Sequence, residues 1–217
     1  MTVLITTGPA WEPLDTMRRL TNASTGRLGS LLGDAFSAAG HRVVLFRGEG
    51  ATAAPPRAVA AMESFSTNDD LAARLASWGR RETVHAVLHA AALCDFRVAR
   101  VFGPDGRELA AGKIPSRAGP LRVELEATTK VLPRLRGWFP GARIVGWKYE
   151  ADGGRTGALA AVARQFAEAG VDACVLNGPA WGEGFALCRT PADFTPCADA
   201  AALAQELLGW LGAGTRR

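Results

Sequence analysis

The sequence predicts an α/β fold in which a mostly parallel β-sheet is covered by helices on both faces. Strand-like and helix-like segments alternate along most of the 217 residues. Most of the strand-like segments are short and apolar, and lack the alternation of polar and apolar residues that one solvated face would produce. Buried strands that alternate with helices are typical of a three-layer, Rossmann-like sheet. In such sheets ligands bind at the carboxyl ends of the strands.

The predicted strands begin with the β-branched segment TVLITT. It occupies residues 2–7, and further buried strands are predicted at 42–48, 58–65, 83–92, 142–149 and 171–177. The segment 120–127 alternates polar and apolar residues, so we expect a half-exposed strand there. The segments 93–119 and 178–196 are the least regular, and Pro104-Asp105-Gly106 has the composition of a turn.

The predicted helices have apolar residues at helical spacing and recognisable ends. They are expected at 28–39 with Gly40 as a cap, at 68–79 with an Asn/Asp cap, around Pro133, at 155–170 ending in Gly170, and at 199–212. Neither an internal repeat nor a low-complexity linker divides the chain, so residues 1–217 are interpreted as one domain with an irregular, lysine-bearing loop at about 97–119.

Composition excludes several classes of protein. The formal net charge is +4, with 22 Arg and 3 Lys, and no block of like charge suggests a nucleic-acid-binding arm. No apolar run approaches 18 residues, so no membrane span is expected. The four cysteines have no CxxC spacing and no signal peptide precedes them, which favours buried, reduced thiols in a cytoplasmic protein. Without a His/Cys cluster, no metal site within the protein is predicted.

The segment STGRLG, at the start of the first helix, has the composition of a phosphate-binding loop. Ser24 and Thr25 offer hydroxyl and backbone N–H groups, Gly26 allows close approach, and a helix N-terminus favours negative charge. Gly8 ends the preceding strand. A simple helix cap with turn glycines explains the segment equally well. The GxGxxG and GK[ST] motifs are missing, which counts against a common NAD-dependent dehydrogenase and a P-loop ATPase.

Four polar residues outside this segment are further candidates. The amide of Asn22 can hold an acyl or phosphate oxygen. Arg18 suits the capture of an anion, and Asp95 follows a strand that ends in small residues. Lys113 lies in a glycine-flanked loop, where a compact charge could follow a phosphate group. Each of the four also has an ordinary structural interpretation as a cap, turn or solvated residue.

Together these segments resemble the phosphopantothenoylcysteine synthetase family, also described as the DNA/pantothenate metabolism flavoprotein C-terminal domain. The matching motifs run in the family's order over nearly the whole chain. They are EPLD at 12–15, Arg18, LTN at 20–22, STG at 24–26, Gly29, AALCDFR at 91–97, KIPS at 113–116, VGWKYE at 145–150 and DACVLN at 172–177.

The resemblance implies a ligase of coenzyme A biosynthesis with the family's Rossmann-like fold. CTP or ATP, with Mg²⁺, would activate the carboxylate of 4′-phosphopantothenate as an acyl-nucleotidylate, and cysteine would then attack through its amine. Family members are dimers, so a homodimer is expected. Since the chain starts at the first strand, we expect a stand-alone form without the fused decarboxylase domain, and no bound flavin.

The resemblance also implies roles for individual residues. The catalytic residues would be Asn22, which holds the acyl intermediate, Lys113, which closes over the triphosphate, and Arg18. Arg18 would meet the substrate phosphate or the active site, either of its own subunit or of the neighbouring one. Asn177 would be a further substrate-binding residue. The nucleotide is assigned to the strand ends and the phosphate-binding loop. Its predicted contacts are Gly8, Ser24, Thr25, Gly26, His89, Ala90, Ala91, Ala92, Asp95, Thr128 and Trp147.

The chain departs from the family pattern in four places. Gly8-Pro9-Ala10 replaces GGT, TTKV at 128–131 replaces NPDI, and one lysine of three remains in the lysine loop. Bacterial CTP-dependent members carry two lysines on the helix before the last buried strand, where the segment AVARQFAEAG of this chain has a single cation, Arg164. Two alternatives therefore stay open, namely a relative that binds a nucleotide or phosphopantothenate without ligation and, less favoured, an NAD(P) oxidoreductase.

Overall fold

The computed structural model describes residues 1–109, 112–115 and 117–213. Its strands are β1 Thr2–Thr7, β2 Trp11–Pro13, β3 Arg19–Thr21, β4 Arg42–Gly48, β5 Ala61–Phe65, β6 Ala86–His89, β7 Phe96–Phe102, β8 Arg122–Ala127, β9 Arg143–Tyr149, β10 Ala173–Asn177, β11 Phe185–Cys188 and β12 Phe194–Cys197. Its helices are α1 Arg27–Ala38, α2 Asn68–Gly79, α3 Leu135–Trp138, α4 Gly154–Ala169 and α5 Ala200–Ala213, with a 3₁₀ turn at Leu132–Arg134.

The central sheet has eight strands in the order β12-β11-β10-β9-β6-β1-β4-β5. The six strands from β10 to β5 run parallel, and β11 and β12 extend the sheet antiparallel at one edge. The predicted mostly parallel, Rossmann-like sheet is thereby confirmed. The parallel order places the carboxyl ends of β1, β6 and β9 next to one another.

Both faces of the sheet are buried, which explains the continuous apolar runs. Along β1, Val3 and Ile5 pack with residues of α1 and α5, whereas Leu4 packs with residues of α2 and α3. Successive side chains of a strand point to opposite faces, so a strand covered by helices on both sides buries every position and is mostly apolar. Helix α4 packs on β10 and β11 through Ala158 and Val162.

Two small hairpins accompany the main sheet, β2–β3 and β7–β8. The sequence prediction of an irregular segment from 97 onward is wrong for β7, which pairs antiparallel with β8. This exposed strand has no apolar signal because it contains charged residues such as Arg97 and Arg100. They form ion pairs with Glu126 and Glu124 across the hairpin at 2.7 Å. The segment 178–196 likewise contains β11 and most of β12, and so is not irregular throughout.

Several predicted boundaries need correction. The third strand begins at Ala61 rather than 58, and the predicted strand 83–92 is regular only at 86–89. The cap of α2 is Thr67, whose hydroxyl accepts from the Asp70 N–H at 3.1 Å, and not Asn68. The turn at 104–106 is confirmed by a hydrogen bond from the Gly106 N–H to the Gly103 carbonyl.

All four cysteines are unpaired and buried, as predicted. Among the described residues, no helix is long and apolar enough to cross a membrane. Ser116 of the KIPS segment lies outside the described residues.

Candidate functional site

A cavity of about 360 Å³ opens at the carboxyl ends of β6 and β9. It is lined by the end of β6, the segment that follows β6, residues 129–133, the end of β9 and one side of α4. Four residues predicted to contact a nucleotide line it together, His89, Ala91, Asp95 and Trp147. Their common position follows from the β6–β9 pairing, which brings His89 opposite Gly146.

His89 supplies a buried, neutral ring to this cavity. It is 6% exposed, and its Nδ1 lies 2.8 Å from the Thr6 hydroxyl, which also accepts the Ala91 N–H at 3.3 Å. Burial lowers the pKa of His89 to about 4, because the charged form loses its hydration. At neutral pH the ring is therefore uncharged and can exchange hydrogen bonds with a ligand without adding a positive charge.

Asn68 joins two segments of the cavity wall and was missed as a functional residue. Its Nδ2 donates to the carbonyls of Cys94 at 2.8 Å and Thr129 at 3.0 Å, and its Oδ1 accepts the Cys94 N–H at 3.2 Å. The side chain is almost fully buried. An asparagine in the first turn of a helix usually suggests a cap. Here the preceding Thr67 caps α2. A threonine at that position in the sequence could have indicated that the Asn68 side chain is free to bond elsewhere.

Three cations line the cavity, the predicted Arg164 of α4 and two lysines, Lys130 and Lys148. Lys130 forms an ion pair with Asp95, and Lys148 lies 3.3 Å from Glu150. Lys130 comes from the segment before α3 and Lys148 from β9, so their proximity could not be inferred from spacing along the chain. The lining combines one neutral ring, one aromatic indole, these three cations and two carboxylates, Asp95 and Glu168, so cations outnumber acids, as suits a base and its phosphates.

Asn22 lies at the margin of the cavity. Its Nδ2 donates a hydrogen bond of 2.7 Å to the carbonyl of Leu93, a residue that lines the cavity. Asn22 directly follows the β2–β3 hairpin and is exposed. The hairpin packs near the segment after β6, where the Cys94 thiol lies 3.7 Å from the Leu20 carbonyl. The structure therefore brings Asn22 and Asp95 to the same edge of the sheet.

Glu12 of this hairpin is a buried acid for which the sequence alone indicated no role. It is 5% exposed and accepts the Asn68 N–H at 3.4 Å. Burial raises the pKa of Glu12, against the smaller effect of that hydrogen bond. The EPLD motif thus places one carboxyl behind the wall of the cavity, next to the asparagine that holds the wall together.

The predicted phosphate-binding loop lies at the neighbouring end of β1. Gly26 has a φ of 75° and precedes α1, and a Cβ built on it would lie 3.4 Å from Cα of Gly8. Thr25 accepts the Arg27 N–H through its hydroxyl at 3.3 Å. Gly8, Ser24, Thr25 and Gly26 do not line the cavity described above. Their predicted contact with a ligand stays a prediction.

The backbone after β6 links these two regions. The Ala90 N–H donates to the Thr6 carbonyl at 3.1 Å, and the Ala92 N–H donates to the Gly8 carbonyl at 2.9 Å. Neither Ala90 nor Ala92 lines the cavity, although Ala91 between them does. Small residues here let β1 and β6 continue side by side beyond their regular ends.

Thr128 and Asn177 are placed beside the cavity rather than in its lining. Thr128 is buried, and its N–H donates to the Asp95 carbonyl at 3.1 Å. Asn177 ends β10, one strand beyond β9, and its carbonyl accepts the Glu150 N–H at 3.0 Å. The predicted roles of both residues stay predictions.

Arg18 and Lys113 lie near each other but do not line the cavity. Nη2 of Arg18 donates a hydrogen bond of 3.1 Å to the carbonyl of Ile114, the residue after Lys113. The Lys113 side chain is exposed. Contact of either side chain with a substrate stays a prediction. Within residues 1–109, 112–115 and 117–213, no group of three or more His, Cys, Asp or Glu side chains could hold a metal ion.

Comparison with known families matches residues 1–190 to the DNA/pantothenate metabolism flavoprotein C-terminal domain. The chain is 31% identical over 175 residues to the coenzyme A biosynthesis bifunctional protein CoaBC of Thermococcus kodakarensis, and 30% identical over 133 residues to that of Bacillus subtilis. These alignments cover 81% and 61% of this chain, but only 40% and 30% of the relatives. The chain therefore spans less than half the length of the curated relatives that it matches.

Solved structures show the same fold at low sequence identity. The DNA/pantothenate metabolism flavoprotein from Streptococcus pneumoniae has a TM-score of 0.86 at 19% identity, covering 98% of this chain and 99% of that one. A mutant of Cab2 in complex with phosphopantothenate-cysteine has a TM-score of 0.76 at 18% identity, covering 98% and 85%.

Proposed function

Since the chain belongs to the family of the DNA/pantothenate metabolism flavoprotein C-terminal domain, we propose that it is a ligase of coenzyme A biosynthesis that joins 4′-phosphopantothenate to cysteine. The observation that carries the proposal is the cavity after β6 and β9, with three cations in its lining and the Asn22 amide at its margin. The Cab2 complex with phosphopantothenate-cysteine supports the choice of substrates.

The cavity receives the nucleoside triphosphate, CTP or ATP. Ala91 leaves room for a flat base or ribose against the backbone, and the neutral His89 and the indole of Trp147 provide uncharged surfaces. Lys130, Lys148 and Arg164 offset the charge of the phosphates. The phosphates would otherwise face the acidic side chains of the same cavity without compensation.

The chemistry requires positioning and charge stabilisation rather than a nucleophilic side chain. A carboxylate oxygen of phosphopantothenate attacks the α-phosphorus, pyrophosphate leaves, and an acyl-nucleotidylate forms. The cysteine amine then attacks the acyl carbon, loses a proton, and expels the nucleoside monophosphate. The Asn22 amide donates to the acyl oxygen, and the exposed Lys113 approaches the triphosphate as its charge redistributes.

Magnesium fits this donor set as a companion of the nucleotide. Mg²⁺ usually keeps several water ligands and binds through substrate phosphates and one or two carboxylates. Asp95 and Glu168 are the carboxylates in the lining of the cavity, and either would hold the ion's water shell. The bound ion supplies charge neutralisation of the phosphate oxygens.

The chain functions as a homodimer, with the β7–β8 hairpin at the contact between the two copies. Phe96, Val123 and Leu125 are 52%, 38% and 49% exposed, and the register of the hairpin places them on one face. A second copy would remove this apolar face from water. Sedimentation velocity of the wild type and of Leu125→Glu tests the arrangement. A monomeric wild type would contradict it, as would a variant that remains dimeric.

Pyrophosphate release tests the ligase directly. The protein is mixed with Mg²⁺, phosphopantothenate and either CTP or ATP, and reactions without phosphopantothenate are the control. We expect release with one nucleotide before cysteine is added, and phosphopantothenoylcysteine afterwards. Release with neither nucleotide would overturn the proposal and favour a relative that binds without ligation.

Asn22→Asp separates the two half-reactions. We expect pyrophosphate release to persist while formation of phosphopantothenoylcysteine falls by about 100-fold, the usual scale for loss of an oxyanion donor. The carboxylate keeps the size of the side chain but repels the acyl oxygen. Equal loss of both half-reactions would show that Asn22 only supports the local structure through its bond to Leu93.

A further inference from the structure

An ion pair in the β2–β3 hairpin holds the backbone of the residue next to Lys113. Oδ2 of Asp15 accepts the Ile114 N–H at 3.2 Å, and Nη2 of Arg18 donates to the Ile114 carbonyl at 3.1 Å. The two side chains also bind each other, with Nη1 of Arg18 3.0 Å from Oδ2 of Asp15. Both main-chain hydrogen-bonding groups of one loop residue are therefore satisfied by residues almost 100 positions away.

The hairpin side of this contact is organised independently of the loop. Oδ1 of Asp15 accepts the N–H groups of Met17 at 2.8 Å and Arg18 at 2.7 Å, which fixes the carboxylate in the turn. These bonds, with the contacts to Ile114 and the Arg18 guanidinium, hold the pKa of Asp15 below its usual value. The Asp15 side chain is 1% exposed, so little water competes for its oxygens.

The loop side combines a buried anchor with an exposed cation. Ile114 is 4% exposed, whereas the adjacent Lys113 side chain is exposed to solvent. Consecutive Cα atoms are about 3.8 Å apart, so fixing both backbone groups of Ile114 also restricts the position of the Lys113 Cα, from which the side chain extends. A long, flexible lysine side chain gains most from an anchored backbone, because fewer conformations have to be lost when it binds a phosphate.

We propose that Asp15 and Arg18 are positioning residues that hold the backbone at Ile114 and thereby aim Lys113 at the triphosphate. The proposal rests on the proposed function for its substrate. It replaces the predicted role of Arg18 as a ligand of the substrate phosphate. The ion pair contributes through Ile114, and the group that meets the triphosphate is the ammonium of Lys113.

Backbone exchange tests the anchoring without any need for activity. Hydrogen–deuterium exchange at the Ile114 amide is compared between wild type, Asp15→Asn and the control Asp105→Asn. Asp105 is an exposed acid near the same loop that pairs with Arg107, and its hydrogen bond and ion pair within the described residues do not involve Ile114. We expect exchange to accelerate roughly tenfold in Asp15→Asn only, as a charged hydrogen-bond acceptor is weakened. Unchanged exchange, with thermal melting confirming a folded variant, would overturn the proposal.

Kinetic coupling to Lys113 tests the positioning. Asp15→Asn is expected to lower the kcat for pyrophosphate release about tenfold in the wild-type background, and not further in a Lys113→Ala background. Independent, multiplicative losses would overturn the proposal. Arg18→Gln should behave like Asp15→Asn, with the KM for phosphopantothenate unchanged. A raised KM in Arg18→Gln alone would instead show that Arg18 binds the substrate phosphate. An inactive wild type would refute the ligase while leaving the exchange result to decide the anchoring.

Discussion

Replacing His89 with glutamine should make the stability of the fold less sensitive to acid. Burial lowers the pKa of His89 from 6.5 to about 4. Between these pH values the unfolded chain binds a proton at this ring and the folded chain does not. Because the unfolded state binds more protons there, the free energy of unfolding falls as the pH falls through the window. Glutamine has no titrating group and removes this contribution.

The pKa shift sets the size of the effect. A shift from 6.5 to about 4 corresponds to roughly 3 kcal/mol once the pH is below both values. About 2 kcal/mol of this is lost between pH 7.5 and pH 5. The glutamine amide retains the capacity to bond with the Thr6 hydroxyl, which lies 2.8 Å from the histidine ring. The substitution should therefore change the free energy of unfolding little at pH 7.5, compared with the pH-dependent difference that it removes.

Urea unfolding at several pH values, followed by tryptophan fluorescence under reducing conditions, measures the difference. The wild type should lose about 2 kcal/mol more than His89→Gln between pH 7.5 and pH 5. Other groups titrate in both proteins and cancel in the comparison. Equal losses in the two proteins would refute the reasoning, because they would show that burial does not keep this ring neutral.

Two further substitutions test the packing around the site. Gly29→Ala should lower the free energy of unfolding by at least about 2 kcal/mol, because the new Cβ would lie 2.2 Å from Cβ of Thr7. Thermal melting measures the loss of stability. An unchanged Tm would contradict close packing of α1 on β1. Asn68→Ala should cost about 3 kcal/mol in urea unfolding, because it leaves the Cys94 N–H and two carbonyls without their partner. A loss below 1 kcal/mol would mean that water replaces the amide.

The regular elements of the main sheet were accessible to sequence analysis because their signals are local. Continuous apolar runs predicted β1, β4 and β9, and the helical periodicity that ends at Gly170 predicted α4; the structure confirms these elements. The exposed strand β7 escaped because its charged side chains are paired with those of β8, more than twenty residues further along the chain. Pairing of this kind leaves little trace in either strand alone.

Some residues of the candidate site could likewise be predicted from the sequence, and others could not. The motif around Asn22 and the small residues at 90–92 stand out in the sequence, because their composition is unusual at the end of a strand and the start of a helix. Lys130 and Lys148 carry no comparable signal, since a single lysine in a short segment is usually a solvated side chain. Their shared position becomes visible only when β9 is placed beside β6.

By itself the sequence determined the order of the helices and of the buried parallel strands, the likeness to a family, and the residue types at the strand ends. Each of these depends on neighbours along the chain, through burial on both faces of a strand or the spacing of a motif. Only the tertiary structure decided which strand ends share a cavity, and that Asp15 and Arg18 reach across to Ile114. Crossover connections set the order of strands in a parallel sheet, so contacts between distant segments follow from that order and from no single stretch of residues.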